Sequence, residues 1–315
     1  MLERNQLTMS NRDWPRLKCV ECDAPLDSSE PEQCAQCGVS FKTTDGVRSF
    51  IRQTEPLAAD TFSSDLYQEL YKKECKEYYL YWGRRQLLYR LLEPVLARKP
   101  AQKALDIGCG TGYVLDGLSA LGLDVAGIEA DLVPLRLALA RGLPHVYEAV
   151  AEKLPFQSDQ FDLVVSLDVY EHIDDDVKAI REAKRVLVPG GKHVIFVPAN
   201  RALWSSCDTM QGHKRRYDKT ELGTKLSEAG FVVDRMTYLL PTFFIPALLI
   251  RRLNRMLLSE EKGKKTAFLE YSMPPKWLNS ILKSVMQIES RLLARMNFPF
   301  GITLAALATN PDHVA

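Results

Sequence analysis

The sequence predicts an α/β protein built on a doubly wound sheet of seven strands. A small zinc ribbon precedes the sheet and a helical segment is inserted before its last strand. Three observations carry that prediction. The run Leu105-Asp106-Ile107-Gly108-Cys109-Gly110-Thr111-Gly112-Tyr113-Val114 reads as the end of a buried strand, a glycine turn and the start of a helix. Short apolar runs then alternate with helically spaced segments through residue 239, the pattern of a Rossmann-like sheet. Near the amino end, Cys19-Val-Glu-Cys22 and Cys34-Ala-Gln-Cys37 are separated by eleven residues.

Composition narrows the field. At 315 residues the chain is long for one domain, so a large domain with a smaller one is expected. The apolar fraction of 46% suits a buried core. A net charge of +1 excludes a global field that would recruit nucleic acid or anionic membrane. Residues 1–17 have no apolar stretch of the secretory kind, and no run is long enough to span a bilayer. Seven cysteines, four of them in CxxC pairs, point to a reducing compartment. A cytoplasmic location is therefore expected, with a membrane-peripheral one left open by the segment after residue 238.

The first unit is expected over residues 1–51, where Trp14-Pro15 is placed to pack on the cysteine-bearing segment. Two CxxC knuckles let Cys19, Cys22, Cys34 and Cys37 meet one ion as a four-thiolate tetrahedral set. A module this small needs such a staple, and a closed four-ligand set makes the zinc structural. Residues 52–99 form a linker and a helical region, helical from Leu66 to Leu96 and rich in tyrosine. Arg84 and Arg85 there are candidates to meet a carboxylate or an acceptor anion, and Pro94 and Pro100 bracket the helix end.

The main domain is expected over residues 100–315. Its strands are Lys103–Ile107, Asp124–Ile128, His145–Val150, Phe161–Leu167, Lys192–Val197, Phe231–Leu239 and Ile302–Ala308. Helices follow the glycine turn and span Asp131–Arg141, Ala179–Leu187 and Asp218–Ala229, with Pro189-Gly190-Gly191 as a turn. The glycine turn is D-x-G-x-G-x-G, not the G-x-G-x-x-G of dinucleotide sites. The leading Asp106 would repel a pyrophosphate but suits an amino group. Glu129, ending the second strand, can accept both hydroxyls of a ribose. An amino-acid end and a ribose together describe S-adenosylmethionine.

The segments LDIGCGTGYV at 105–114, Gly127-Ile128-Glu129, AEKLPF at 151–156, FDLVVSLDVYEHI at 161–173 and VLVPGGKHVIFVP at 186–198 occur in order. In them the chain resembles class I S-adenosylmethionine-dependent methyltransferases. The resemblance implies a cofactor site of Asp106, Gly108, Cys109, Gly110, Gly112, Glu129, Ala130, Ala151, Glu152, Leu154 and Asp168. It also exposes a departure: the acid that commonly precedes AEKLPF is Val150 here. Residues Leu17–Ile51 resemble zinc ribbons that precede some methyltransferase domains, certain ribosomal RNA methyltransferases among them.

Candidate catalytic residues are His172, His213 and Tyr217. His172 at the end of the fourth strand is either a general base or, with Glu171, a brace for that strand. Asp168-x-x-Glu171-His172 also resembles the ExxEH metal motif of small-RNA 3′-end methyltransferases and some ubiquinone-pathway O-methyltransferases, with aspartate for the first glutamate. With His213 it offers two carboxylates and two imidazoles to a divalent ion. The loop Trp204–Tyr217 is dense in His213, Lys214, Arg215 and Arg216, either an anion-binding patch or a solvated face.

The insertion over residues 239–300 opens with an apolar stretch, Tyr238–Ile250, followed by Arg251, Arg252 and Arg255. Pro241 and Pro246 keep it from spanning a bilayer, which leaves a lid, an interfacial segment or core packing. Lys262–Lys265 reads as a loop and Trp277–Met296 as an amphipathic helix. GHxRRY, an AGF helix end, the arginine-rich insertion and PFG together resemble a group of bacterial class I methyltransferases. The expected acceptor is a small or lipid-linked molecule. One alternative is an RNA methyltransferase that uses the ribbon for recognition; another is a non-catalytic, cofactor-binding adaptor.

Overall fold

The computed structural model describes residues 14–26, 32–51, 78–98, 103–257 and 274–311. The expected linker over 52–66, the start of the first helix at Leu66, Pro100 and the Lys262–Lys265 loop lie outside them.

The strands are β1 Thr43–Thr44, β2 Val47–Ser49, β3 Lys103–Ile107, β4 Asp124–Glu129, β5 Val146–Glu148, β6 Phe161–Leu167, β7 Leu187–Pro198, β8 Val232–Leu239 and β9 Thr303–Thr309. They form one sheet in the order β1-β2-β5-β4-β3-β6-β7-β9-β8. The seven strands from β5 to β8 are the expected Rossmann-like core. Strands β5, β4, β3, β6 and β7 are parallel, and β9 runs antiparallel between β7 and β8. The central strands β3 and β6 are nearly all buried, which is why they read as continuous apolar runs.

Helices cover both faces. On one, α1 Tyr79–Arg98, α2 Tyr113–Ala120 and the insertion helix α8 Lys276–Leu293 bury Leu87, Leu91, Leu118 and Met286 against the sheet. On the other, α4 Asp176–Val186 and α6 Lys219–Glu228 bury Ile180, Val186, Leu222 and Leu226. Helix α3 Leu132–Ala140 starts at Asp131, whose carboxylate accepts the Val133 amide at 2.9 Å, and closes the edge near β2. Two further helices, α5 Ser206–Met210 and α7 Phe244–Leu257, follow β7 and β8.

The four-cysteine segment is fastened to this sheet. Asp45 and Gly46, both at positive φ, turn β1 into β2, and β2 then pairs in parallel with β5. The Phe50 amide donates to Glu148 O at 2.7 Å, and the Lys18 amide to Pro155 O at 2.9 Å. Leu17, Val20, Phe41 and Phe50 share one buried cluster with Phe156 and Phe161, and Trp14 lies edge-on to His145 and Phe161. The hairpin thus lengthens the sheet from seven strands to nine.

One local expectation is corrected. The turn at Pro189-Gly190-Gly191 is a bulge inside β7: Phe161 faces Leu187 and Leu163 faces Lys192, so the extra residues loop out while pairing continues. Helix α1 runs through Pro94 and ends at Arg98, between Pro94 and Pro100 as expected, because burial of Leu87, Leu88, Leu91 and Leu92 just before Pro94 outweighs the lost backbone bond.

Candidate active site

Strand β3 delivers Asp106 to the carboxyl edge of the sheet, and the chain turns at once. Gly108, Gly110 and Gly112 all have positive φ, and the amides of Gly108 and Cys109 both donate to Ile128 O at 2.9 Å. A Cβ on Gly108 would stand 2.5 Å from Val169 Cγ2, so glycine lets the turn close against the end of β6. Beyond this edge opens a cleft of about 810 Å3.

The cleft gathers Asp106, Gly108, Cys109, Gly110, Glu129, Ala130, Ala151 and Glu152 on one side, with Asp168 and His172 on the other. Glu129 is fixed by the amides of Gly110 and Ala130, at 3.1 and 2.8 Å. Burial raises its pKa against the lowering by those amides. Asp106 is 2% exposed, and its carboxylate has no hydrogen bond or ion pair among the described residues. Burial, and then the neighbouring Glu129, push its pKa well up. Two buried acids flanking a glycine turn fit a ligand with a cationic amine and a ribose. That donor set would hold S-adenosylmethionine.

Across the cleft, Asp168 sits at positive φ and is held by Arg84 at 2.6 Å. His172 lies in the short turn Tyr170–His172 after β6, edge-on to His213 with ring centroids 4.9 Å apart. Burial, and then His213, lower the His172 pKa to about 4, so it is neutral at pH 7. The His213 Nδ1 pairs with Asp208 Oδ1 at 2.9 Å, while its Nε2 and both Glu171 carboxylate oxygens are buried without a hydrogen-bond partner among the described residues. Glu171, His172 and His213 offer ligand atoms within 4.8 Å of one another, a geometry able to hold a divalent ion.

Four expected site residues lie outside the cleft lining. His213 stands behind His172. Gly112 packs backward, where a Cβ would meet Leu143 at 2.3 Å, so only glycine lets the turn close there. The expectations for Leu154 and Tyr217 are corrected. Leu154 is fully buried and its amide donates to Glu182 at 2.9 Å. Tyr217 is fully buried, and its phenol donates to Asp176 at 2.6 Å and is also 3.0 Å from Tyr170 O. A group so held braces the turn carrying His172. Tyr217→Phe is expected to lower stability by about 2 kcal/mol in a denaturant melt while sparing cofactor binding.

The basic loop is also turned inward. Arg215 pairs with Asp176 at 2.9 Å and Arg216 with the fully buried Asp208 at 2.7 Å; Lys214 lines the cleft but pairs with Asp174. Arg215 and Arg216 thus answer buried acids, while the partner of Lys214 is exposed.

Sequence reasoning missed Tyr81, Tyr113, Asp131, Glu148 and Gln211, all of which line the cleft. The signal for Glu148 was strand alternation, which puts positions 148 and 150 on one face. Glu148 belongs to β5 and bonds Ser49 of the hairpin, so the four-cysteine segment meets a cleft residue directly. Arg85 stacks over Tyr113 at 4.2 Å, closing the side beneath α1.

The four thiols form a compact set. Sγ of Cys19 and Cys37 are 3.6 Å apart, as are those of Cys22 and Cys34, and all four lie within 4.8 Å. A tetrahedron with metal–sulfur bonds of about 2.3 Å has sulfur–sulfur edges of about 3.8 Å, so the residues fit zinc.

Comparison with known proteins agrees with this geometry. The methyltransferase domain family matches residues 105–195. A Mycobacterium tuberculosis protein described as a probable S-adenosylmethionine-dependent methyltransferase is 31% identical over 156 residues, 48% of this chain and 56% of that protein. The ubiquinone biosynthesis O-methyltransferase of Pseudomonas putida is 37% identical over 109 residues, 32% of this chain and 45% of that one. The chain thus spans about half the length of the curated relatives it matches. Among solved structures, Haemonchus contortus phosphoethanolamine N-methyltransferase 2 with S-adenosylmethionine aligns at a TM-score of 0.49 and 21% identity, over 92% of this chain and 62% of that one. Residues 105–195 thus form a methyltransferase domain similar to those of S-adenosylmethionine-dependent methyltransferases.

Proposed function

We propose that the protein transfers a methyl group from S-adenosylmethionine to a nucleophile, oxygen foremost, on a small or lipid-linked acceptor. The observation that carries this is the placement of Asp106 and Glu129 on one side of a single cleft and His172 on the other. Bound there, S-adenosylmethionine supplies an electrophilic methyl on a sulfonium. Asp106 binds the amino group, Glu129 the ribose hydroxyls, and the glycine turn lets the cofactor lie on the backbone. His172, neutral at pH 7, takes the proton of the acceptor; Asp208 orients His213 behind it. Arg84 positions Asp168 at the mouth of β6. The four thiolates hold a structural zinc.

Two features support a small acceptor over RNA. The Arg215 and Arg216 side chains that would meet phosphates are committed to Asp176 and Asp208. The Pseudomonas relative is named as an O-methyltransferase of ubiquinone biosynthesis. A lipid-linked acceptor would place the protein at a membrane surface.

The test is transfer of radiolabelled methyl from S-adenosylmethionine into a cell extract, split into RNA, protein, lipid and small-molecule fractions. Label is expected in the lipid or small-molecule fraction and lost with His172→Ala. Label in RNA would overturn the acceptor class. No label anywhere, with the cofactor bound, would favour an adaptor.

A further inference from the structure

Ten of the thirteen large apolar side chains exposed among the described residues fall between Ile245 and Phe300. They are ordered. On α7, Ile245, Leu249 and Leu253 recur every fourth residue; on α8, Trp277, Ile281 and Ile288 share one stripe. Leu249 is 62% exposed and Trp277 66%. Helix α8 already buries its opposite side, where Asn279 accepts the Tyr79 amide at 3.0 Å and Met286 packs against Gly83 of α1. It is therefore apolar on two faces, and one of them is uncovered, more than a solvated surface helix carries.

The charge on these helices has one sign. Over residues 244–253 and 276–300, Arg252, Lys276, Arg291 and Arg295 are exposed. The single acid in those stretches, Glu289, is buried and accepts the Thr242 amide at 2.9 Å. Uncovered isoleucine, leucine and tryptophan with basic neighbours and no exposed acid complement a surface apolar below and anionic above. Neither helix is long and apolar enough to cross a membrane.

We propose that α7 and α8 dock on an anionic phospholipid surface, lying flat with their apolar stripes at the acyl boundary. Both helices pack on elements that border the cleft or support it. Helix α8 packs on α1, which supplies Tyr81, Arg84 and Arg85 to its wall. Helix α7 sends Arg251 to Leu203 O and, at 3.8 Å, to Asp208, the residue that orients His213. Docking would bring the acceptor half of the cleft next to the lipid. The inference sharpens the membrane part of the proposed function and rests on it, but its test needs no methyl acceptor.

The test is flotation of the intact protein with phosphatidylcholine vesicles, alone or enriched in phosphatidylglycerol. Binding is expected with the anionic vesicles, about tenfold or more above neutral ones and weakened by salt. Leu249→Asp with Trp277→Asp should abolish flotation, with an unchanged melting curve and unchanged cofactor binding as controls. Arg252→Glu with Arg291→Glu and Arg295→Glu should remove the preference for anionic lipid. A wild-type protein that stays with the unbound fraction at low salt overturns the proposal. So does a protein that sediments as a dimer and becomes monomeric in the Leu249/Trp277 variant, because the face would then be covered by a second copy. Either result leaves methyl transfer standing, and a failed transfer assay leaves flotation unaffected.

Discussion

Asp106→Asn is expected to remove cofactor binding and, in the same protein, to raise the melting temperature of the cofactor-free form. Asp106 is buried beside Glu129, and its carboxyl resists ionisation in the native state. The sign follows from that raised pKa. Below roughly pH 4 both native and unfolded chains hold the proton and nothing is lost. As pH rises, the unfolded chain ionises first, so stability falls until the native carboxyl ionises too. Asparagine has nearly the same shape and no proton to lose. The free variant should therefore gain roughly 1–3 kcal/mol at pH 8 and nothing at pH 4. Cofactor binding should weaken by about a hundredfold or more, since the amino group loses its charged partner. Thermal melts at both pH values, with and without S-adenosylmethionine, read the two effects together. A variant that melts below wild type at pH 8, or keeps the cofactor-induced shift, contradicts this account of the cleft.

Loss of zinc should reach the cleft as well as the ribbon. The hairpin that follows the four cysteines pairs with β5, and Phe50 and Ser49 hold Glu148, which lines the cleft. Chelation should release one metal ion per chain and cost about 4 kcal/mol, a melting-temperature drop of roughly 10 °C. Cofactor affinity should fall by about three- to tenfold, because β5 loses its neighbour while the glycine turn on β3 stays intact. Cys34→Ser should reproduce both effects. Metal analysis beside the melt is the check. A metal-free protein with the wild-type melt would make the thiol cluster incidental.

Much of the fold was legible because its signals are local. The run at 103–114 announces strand, turn and helix through residues in direct chain contact, and all seven core strands lie where apolar runs placed them. What escaped depends on tertiary neighbours. Nothing in VPGG says whether it ends a strand or bulges within one; the continued pairing of β6 with β7 decides it.

The site divides in the same way. Asp106 and Glu129 end adjacent strands, and strand alternation points both toward the cleft. Tyr217 follows a dense basic run that reads as an anion patch or a solvated face, and that run is answered by Asp176 and Asp208. Glu148 was passed over for Val150, although a hairpin a hundred residues earlier is what fixes it. Charge density in a sequence says nothing about whether acids wait inside the fold.

The most direct measurement is a calorimetric titration of S-adenosylmethionine into the intact wild-type protein. The cleft predicts one site per chain with a dissociation constant in the range of about 1–100 μM. It also predicts comparable binding of the demethylated product, because Asp106 and Glu129 grip the ends that the two share. No heat at millimolar cofactor would contradict the account at its centre, since two buried carboxylates beside a glycine turn would then have no ligand to explain them.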